Sequence, residues 1–272
     1  MIIVTGTNGF IGRHILNTLH DKGEDVVEVD QQGAWYFKSN FGIKPGNWDE
    51  VDLIIHQGAI TSTTHTNLKE LFHWNIDYSI WLFEQAIKHE IPVLYASSAS
   101  VYGKTSDIIN PLNYYALSKV TIDYWIQDHI DEFKLIQAFR YYNVYGTGED
   151  HKGDQASPVT KFAKQIKETG KLKLFEGSDK FLRDFVCIDD VVNLVLENDK
   201  EESGFYDLGT SNPVSFAQVA QWVVDKYGGE IEEVPFPEHL KRKYQEYTCA
   251  KKEWGDYKFK TIPEYLEGLP VN

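Results

Sequence analysis

The sequence predicts an α/β fold, a doubly wound parallel sheet with a smaller C-terminal lobe. Three observations carry that expectation. Short, uninterrupted apolar runs alternate with stretches of helical periodicity over the first half of the chain, as parallel strands buried on both faces and joined by helices do. A glycine-spaced loop separates the first run from the first helix. From about Tyr145 the alternation gives way to polar, glycine-rich and proline-containing segments.

Ile2-Ile3-Val4, ended by Thr5-Gly6, reads as the first buried strand. Residues 9–19 follow with apolar positions at helical spacing, closed by Lys22-Gly23, and residues 24–30 return to a strand ending in Asp30. The loop between the first two elements is Gly6-Thr7-Asn8-Gly9-Phe10-Ile11-Gly12. Glycines there let the backbone approach a pyrophosphate, which the uncompensated N–H groups at a helix start favour, and Asp30 becomes a candidate ribose contact. A glycine-rich turn without a ligand is the alternative. Residues 51–56 form the next strand, stopped by Gln57-Gly58-Ala59, and residues 71–86 an aromatic-rich helix. Residues 91–96 run as a strand into Ser97-Ser98, and residues 135–140 as a fifth. Later elements are a helix over 157–169, strand character over 172–177 and 183–190, a helix over 191–196, a short strand over 206–210, and a helix over 216–227 with Ser215 as its N-cap. The boundaries expected on this pattern are a dinucleotide-binding domain of residues 1–149 plus 184–211 and a substrate lobe of 150–183 plus 212–272.

Composition narrows the class. The chain has 272 residues, 42% hydrophobic and 25% charged, which is ordinary for a globular protein. A net charge of -14 argues against a nucleic-acid surface. Cys187 and Cys249 have no metal-ligand spacing and read as structural, so no metal is expected. No apolar run is long enough to span a bilayer, and the opening Met1-Ile2-Ile3-Val4 has no signal-peptide pattern. The expectation is a cytoplasmic protein with no membrane partner.

The strongest chemical signal is Asn113-Tyr114-Tyr115-Ala116-Leu117-Ser118-Lys119. On a helix Tyr115 and Lys119 project from one face. A neighbouring ammonium favours the phenolate, bringing a tyrosine toward the working range of a general acid/base. A packed aromatic beside a solvated lysine is the alternative. Ser98, at the carboxyl end of a strand, stands where such sheets bind ligands.

Taken together, the glycine loop, Ser98 and the Tyr115/Lys119 pair resemble the extended short-chain dehydrogenase/reductases, Rossmann-fold enzymes that act on nucleotide sugars with a bound nicotinamide cofactor. Segments 56–64, 95–99, 143–146, 174–178 and 183–186, His151-Lys152-Gly153 and the run from Pro235 to Gln245 are similar to one branch, the ADP-glycero-manno-heptose 6-epimerases. The resemblance implies oxidation of the heptose carbon 6, rotation of the ketone and return of hydride to its other face. Tyr115 and Lys152 are then the two acid/base groups, with Lys119 and Ser98 assisting. It further implies cofactor contacts at Gly6, Asn8, Gly9, Phe10, Ile11, Gly12, Asp30, Lys38, Gln57, Gly58, Ala59, Asn75, Lys119 and Val144. Substrate contacts are implied at Ser98, Asn143, Asp154, Lys161, Phe175, Glu176, Gly177, Ser178, Arg183 and Tyr244, and related enzymes are homo-oligomers. Arg183 suits a diphosphate, the alternative being an ion pair to Asp184 or Glu176; for Lys152 it is a flexible surface lysine.

Asp154 and Lys161 stand where the branch has serine and histidine. Asp30 favours NAD, whereas the branch generally uses NADP, with Lys38 and Lys44 as candidates to neutralise its phosphate; NADP is the expectation and NAD the alternative. Another nucleotide-sugar 4-epimerase or dehydratase competes, although Ala99-Ser100 stand where a dehydratase has acidic residues. A non-catalytic dinucleotide-binding protein is the remaining reading, and the intact Tyr115, Lys119, Ser98 and Lys152 argue against it.

Overall fold

The computed structural model describes residues 1–41, 48–105, 107–238 and 245–270. The strand β1 (Ile2–Thr5) leads through the glycine loop to α1 (Phe10–Asp21), β2 (Val26–Val29) and α2 (Gln31–Asn40). Next come β3 (Leu53–His56), a helix in three parts, β4 (Val93–Ser98), α5 (Tyr114–His129) and β5 (Ile136–Tyr141). The three-part helix is α3 (Leu68–Leu71), a π-helical turn (Phe72–Asp77) and α4 (Tyr78–Lys88).

These elements build a six-stranded sheet in the order β10-β5-β4-β3-β1-β2, where β10 is Gly204–Leu208. β1 pairs in parallel with both β2 and β3, and β3 in parallel with β4. The chain therefore leaves β1 in one direction and returns on its other side, and the switch point falls between β1 and β3, where doubly wound sheets open a crevice. The continuous apolar runs predicted as strands are buried on both faces: the register partners Ile3, Ile54 and Val93 are buried on one, and the adjoining Val4, Ile55 and Leu94 on the other. α4 and α5 cover one face through Leu82, Phe83, Ile122 and Ile126.

The remaining elements are β6 (Asn143–Tyr145), α6 (Pro158–Thr169), β7 (Lys171–Phe175), β8 (Leu182–Arg183), β9 (Phe185–Cys187), α7 (Ile188–Glu197), β11 (Val214–Ser215), α8 (Phe216–Tyr227), β12 (Glu230–Val234) and α9 (Ile262–Glu267). β6 pairs in parallel with β9, β12 in parallel with β7, and β11 antiparallel with β8. Ser215 caps α8 as expected, its side chain accepting from the Gln218 N–H. No described helix is long and apolar enough to cross a membrane.

Two compact units result. The first is Met1–Val101, Asn113–Arg140 and Val192–Tyr206; the second is Tyr102–Leu112, Tyr141–Val191 and Asp207–Asn272. The division differs from the expected one, because segments 102–112, 141–149, 184–191 and 207–211 fall in the second unit. The physical reason is pairing that periodicity does not show: β6 hydrogen-bonds to β9, and the Tyr102 hydroxyl donates to the buried Asp207 at 2.7 Å.

Candidate active site

In the first unit the glycine loop is shaped by backbone approach. A Cβ on Gly6 would lie 2.7 Å from the Gly58 Cα, and one on Gly12 2.2 Å from the Gly6 carbonyl oxygen. Gly6 also has φ +73°, where L side chains are strained. The helix α1 that follows has Gly9 as its N-cap and no side-chain cap, which leaves its first N–H groups and the positive end of its dipole available to an anion. Phe10 and Gly12 are buried, Phe10 edge-on to His14, and Ile11 is half-buried.

Behind this loop runs a buried chain of hydrogen bonds that sequence reading missed. The Gly58 N–H donates to Thr5 Oγ1 (3.0 Å), Thr5 Oγ1 meets His56 Nδ1 (2.6 Å), His56 Nε2 meets Ser79 Oγ (2.8 Å), and Ser79 donates to the Asn75 carbonyl (2.9 Å). The Gly58 N–H is a fixed donor at one end and the Asn75 carbonyl a fixed acceptor at the other, so His56 carries its proton on Nε2 and is neutral. Burial, with the Lys119 charge adding, drives it down to about 3. The Asn75 amide is spent on the Ile60 N–H and carbonyl and on Ser118, so Asn75 acts as a brace behind the 57–60 loop of Gln57, Gly58 and Ala59. It lies in the π-helical turn, which alters the register of side chains along the helix.

At the end of β2, Asp30 accepts from Asn8 Nδ2 at 2.6 Å and from the Gly33 N–H at 2.7 Å, capping α2. Its oxygens keep acceptor capacity for a hydroxyl. Lys38 places its ammonium 5.3 Å over the Trp81 ring. Lys44 lies outside the described residues.

Ser98 ends β4, and Asn113 caps α5 through the Ala116 N–H. Tyr115, Lys119 and Ser98 are all buried, Lys119 being 3% exposed, which removes the alternative of a solvated lysine. The electrostatics differ from expectation. Burial raises the Tyr115 hydroxyl above its ordinary value, with Asp123 adding and a hydrogen bond from Ser98 opposing. Lys119 does not bring it down, because its ammonium donates to the Ala96 carbonyl (2.6 Å) and the Tyr95 hydroxyl (3.2 Å). Burial lowers Lys119 to about 8 while Asp123 opposes. Asp123, one turn beyond, accepts from Ser97 (2.7 Å) and is paired with Arg140 (3.0 Å). Burial raises its carboxyl, opposed first by Arg140.

In the second unit Lys152 sits on the turn Asp150–Gln155, its ammonium 3.0 Å from the carboxylate of the fully buried Glu149. Lys161 donates to the Asp154 carbonyl at 3.3 Å; burial lowers its ammonium, with Asp154 and Glu149 opposing and Lys152 adding. The Asp154 residue itself is exposed. Phe175 and Gly177 are half-buried and Glu176 exposed, while Ser178 closes the turn by donating to the Phe175 carbonyl. Arg183 is buried, its guanidinium 5.6 Å over Phe216. The carboxylate of Asp184 is filled by the Thr210 N–H and hydroxyl, the Ser211 N–H and the Ala250 N–H. The N–H of Asn143 donates to the Asp184 carbonyl, and Val144 is half-buried. Tyr244 lies outside the described residues.

The glycine cradle, which any Cβ would fill, the open start of α1 and the acid at the end of β2 fit a dinucleotide, and Tyr115 with Ser98 and Lys119 fits proton transfer beside it. Comparison with known proteins agrees. The chain is 38% identical to an ADP-L-glycero-D-manno-heptose-6-epimerase of Alkalilimnicola ehrlichii over 92% of its length and 88% of the relative's. The Helicobacter pylori ADP-L-glycero-D-manno-heptose-6-epimerase has a similar structure (TM-score 0.82, 24% identity, 98% of this chain and 93% of that one). So does the Thermus thermophilus UDP-glucose 4-epimerase in complex with NAD (TM-score 0.79, 20% identity, 98% and 97%). The model of the NAD dependent epimerase/dehydratase family matches residues 2–204, and the chain belongs to that family of nicotinamide-dinucleotide enzymes.

Proposed function

We propose that this chain converts ADP-D-glycero-D-manno-heptose to ADP-L-glycero-D-manno-heptose. The observation that carries the reading is a second amine, Lys152, seated on a buried carboxylate, in addition to the Ser98, Tyr115 and Lys119 set. Inverting a carbinol through a ketone needs proton transfer on two sides. A 4-epimerase or dehydratase has no evident use for Lys152. The 38% identity over most of the chain supports the same substrate.

When bound, the nicotinamide supplies a hydride acceptor that later gives the hydride back. Tyr115 takes the carbon-6 hydroxyl proton of one epimer, Ser98 orients the reacting oxygen, and Lys152 exchanges the proton for the other epimer. Lys119 holds the nicotinamide ribose and favours the Tyr115 phenolate when its ammonium turns from Ala96. Gly6, Gly9 and Gly12 admit the pyrophosphate and Gln57 to Ala59 border it. Arg183 binds the substrate diphosphate, and the Asp154/Lys161 pair borders the sugar. The first unit holds the dinucleotide and the second the nucleotide sugar.

We infer NAD over NADP. Asp30, held by Asn8, would repel a 2'-phosphate, and the Lys38 ammonium is engaged over the Trp81 ring. The same reading describes a cytoplasmic homo-oligomer that supplies heptose to lipopolysaccharide or another glycan. Exposed Tyr114, Leu117 and Tyr124 along α5 support self-association.

The test is incubation of purified protein with ADP-D-glycero-D-manno-heptose, following carbon 6 by NMR, with mass analysis of the extracted nucleotide. The expected result is the L-glycero product and NAD. No product with a nicotinamide nucleotide retained would overturn the substrate, and retained NADP would overturn the cofactor choice.

A further inference from the structure

Glu149 is a fully buried carboxylate in a stretch otherwise polar and exposed. Its Oε1 accepts from Lys152 Nζ at 3.0 Å and from the Ser157 N–H at 3.1 Å; its Oε2 accepts from the Ser157 hydroxyl at 2.5 Å and the Thr160 hydroxyl at 2.7 Å. The Glu149 carbonyl also accepts from the Lys152 N–H at 2.8 Å. A charge taken out of water is tolerated only when its oxygens are filled in this way. Ser157 and Thr160 belong to the first turn of α6, which Ser157 caps, so the carboxylate is anchored to a regular element.

Lys152 occupies the opposite situation. It lies on a short turn containing Gly153 at φ +49°, and a lysine side chain has many rotamers to lose when it is held in one. An acid/base group must be held where its proton is exchanged. We propose that Glu149 is the positioning residue of Lys152: it ties the lysine at both backbone and tip to the start of α6, so that the amine nitrogen is presented in one place, as the free amine when it takes the hydroxyl proton and as the Glu149-paired ammonium once it holds it. Glu149 does not exchange the substrate proton. The inference rests on the reading of Lys152 as the second acid/base group.

That reading makes the two epimers unequal, since one loses its hydroxyl proton to Tyr115 and the other to Lys152. The test mixes holoenzyme rapidly with either ADP-heptose epimer and follows reduced nicotinamide. Lys152→Met and Glu149→Gln are both expected to slow oxidation of the same epimer by ~10-fold or more and the other much less. In the double variant Glu149→Gln adds nothing to Lys152→Met, as coupled residues require. Equal slowing of both epimers by Glu149→Gln, or an undiminished cost in the Lys152→Met background, assigns Glu149 a purely structural role and overturns the proposal. If Lys152→Met itself shows no epimer preference, the two-group reading fails and takes the proposal with it, a distinct result. Should Glu149→Gln not fold, Thr160→Val, which removes one brace from Oε2, is read in the same way; an unchanged epimer ratio in that variant overturns the proposal.

Discussion

Tyr115 and Lys119 show how residue chemistry depends on the surroundings a side chain is folded into. Burial raises the one and lowers the other to about 8, so the phenol keeps its proton while the lysine, still an ammonium at neutral pH, gives its proton up more easily than a solvated one. Tyr115→Phe keeps the ring packing and removes the hydroxyl that meets Ser98; it is expected to leave nucleotide binding intact and cut turnover by about 10²–10⁴-fold. Turnover and nucleotide affinity, measured together, check this, and wild-type-like turnover would refute the role. Lys119 makes a stability prediction. Its folded value of about 8 lies below the ordinary 10.5, so between the two the unfolded chain binds more protons and stability rises with pH. The contribution is fully present above about 10.5 and lost as pH falls through 8. Urea unfolding of wild type and Lys119→Met at several pH values in that window should show a slope in the wild type that the variant lacks.

At the scale of elements, the β1–loop–α1 unit works because two backbone segments touch where side chains normally stand. Gly12→Ala would place a methyl 2.2 Å from the Gly6 carbonyl oxygen, a backbone atom that cannot swing aside. The expected cost is about 1–3 kcal/mol of stability, as for other overpacked sites, with loss of dinucleotide binding. Chemical denaturation and nucleotide titration read the two effects separately; an unchanged affinity would mean the loop is not the pyrophosphate site. The π-helical turn is the other decisive element. It carries Asn75, which clamps the Ile60 segment, and its carbonyl ends the hydrogen-bond chain that passes through His56 to Gly58.

On the scale of the whole molecule, the second unit is closed by residues far apart in the chain. Asp184 gathers the Thr210, Ser211 and Ala250 backbone, and Asp207 gathers the Tyr102 and Tyr142 hydroxyls and the Lys251 N–H. Asp184→Ala leaves the buried Ala250 N–H and the half-buried Thr210 and Ser211 N–H groups without their acceptor, at about 1–3 kcal/mol for each that water cannot reach. The variant should unfold at markedly lower denaturant, with limited proteolysis falling first on segments 207–212 and 245–250. Cleavage confined to the first unit would contradict this.

Sequence alone determined the parallel sheet, the glycine loop before α1, the Tyr115/Lys119 helix and the Ser215 cap. All of these are local, since apolar periodicity, glycine spacing and a cap three residues from the N–H it accepts need no knowledge of the rest of the chain. Tertiary structure decided what depends on remote partners. His56 meets Thr5 across 51 residues, Arg140 meets Asp123, Lys38 meets Trp81, and β6 meets β9 rather than the main sheet. Even Glu149, only three residues from Lys152, was illegible: its burial comes from α6 folding over it, and a carboxylate acquires its role from the donors that enclose it.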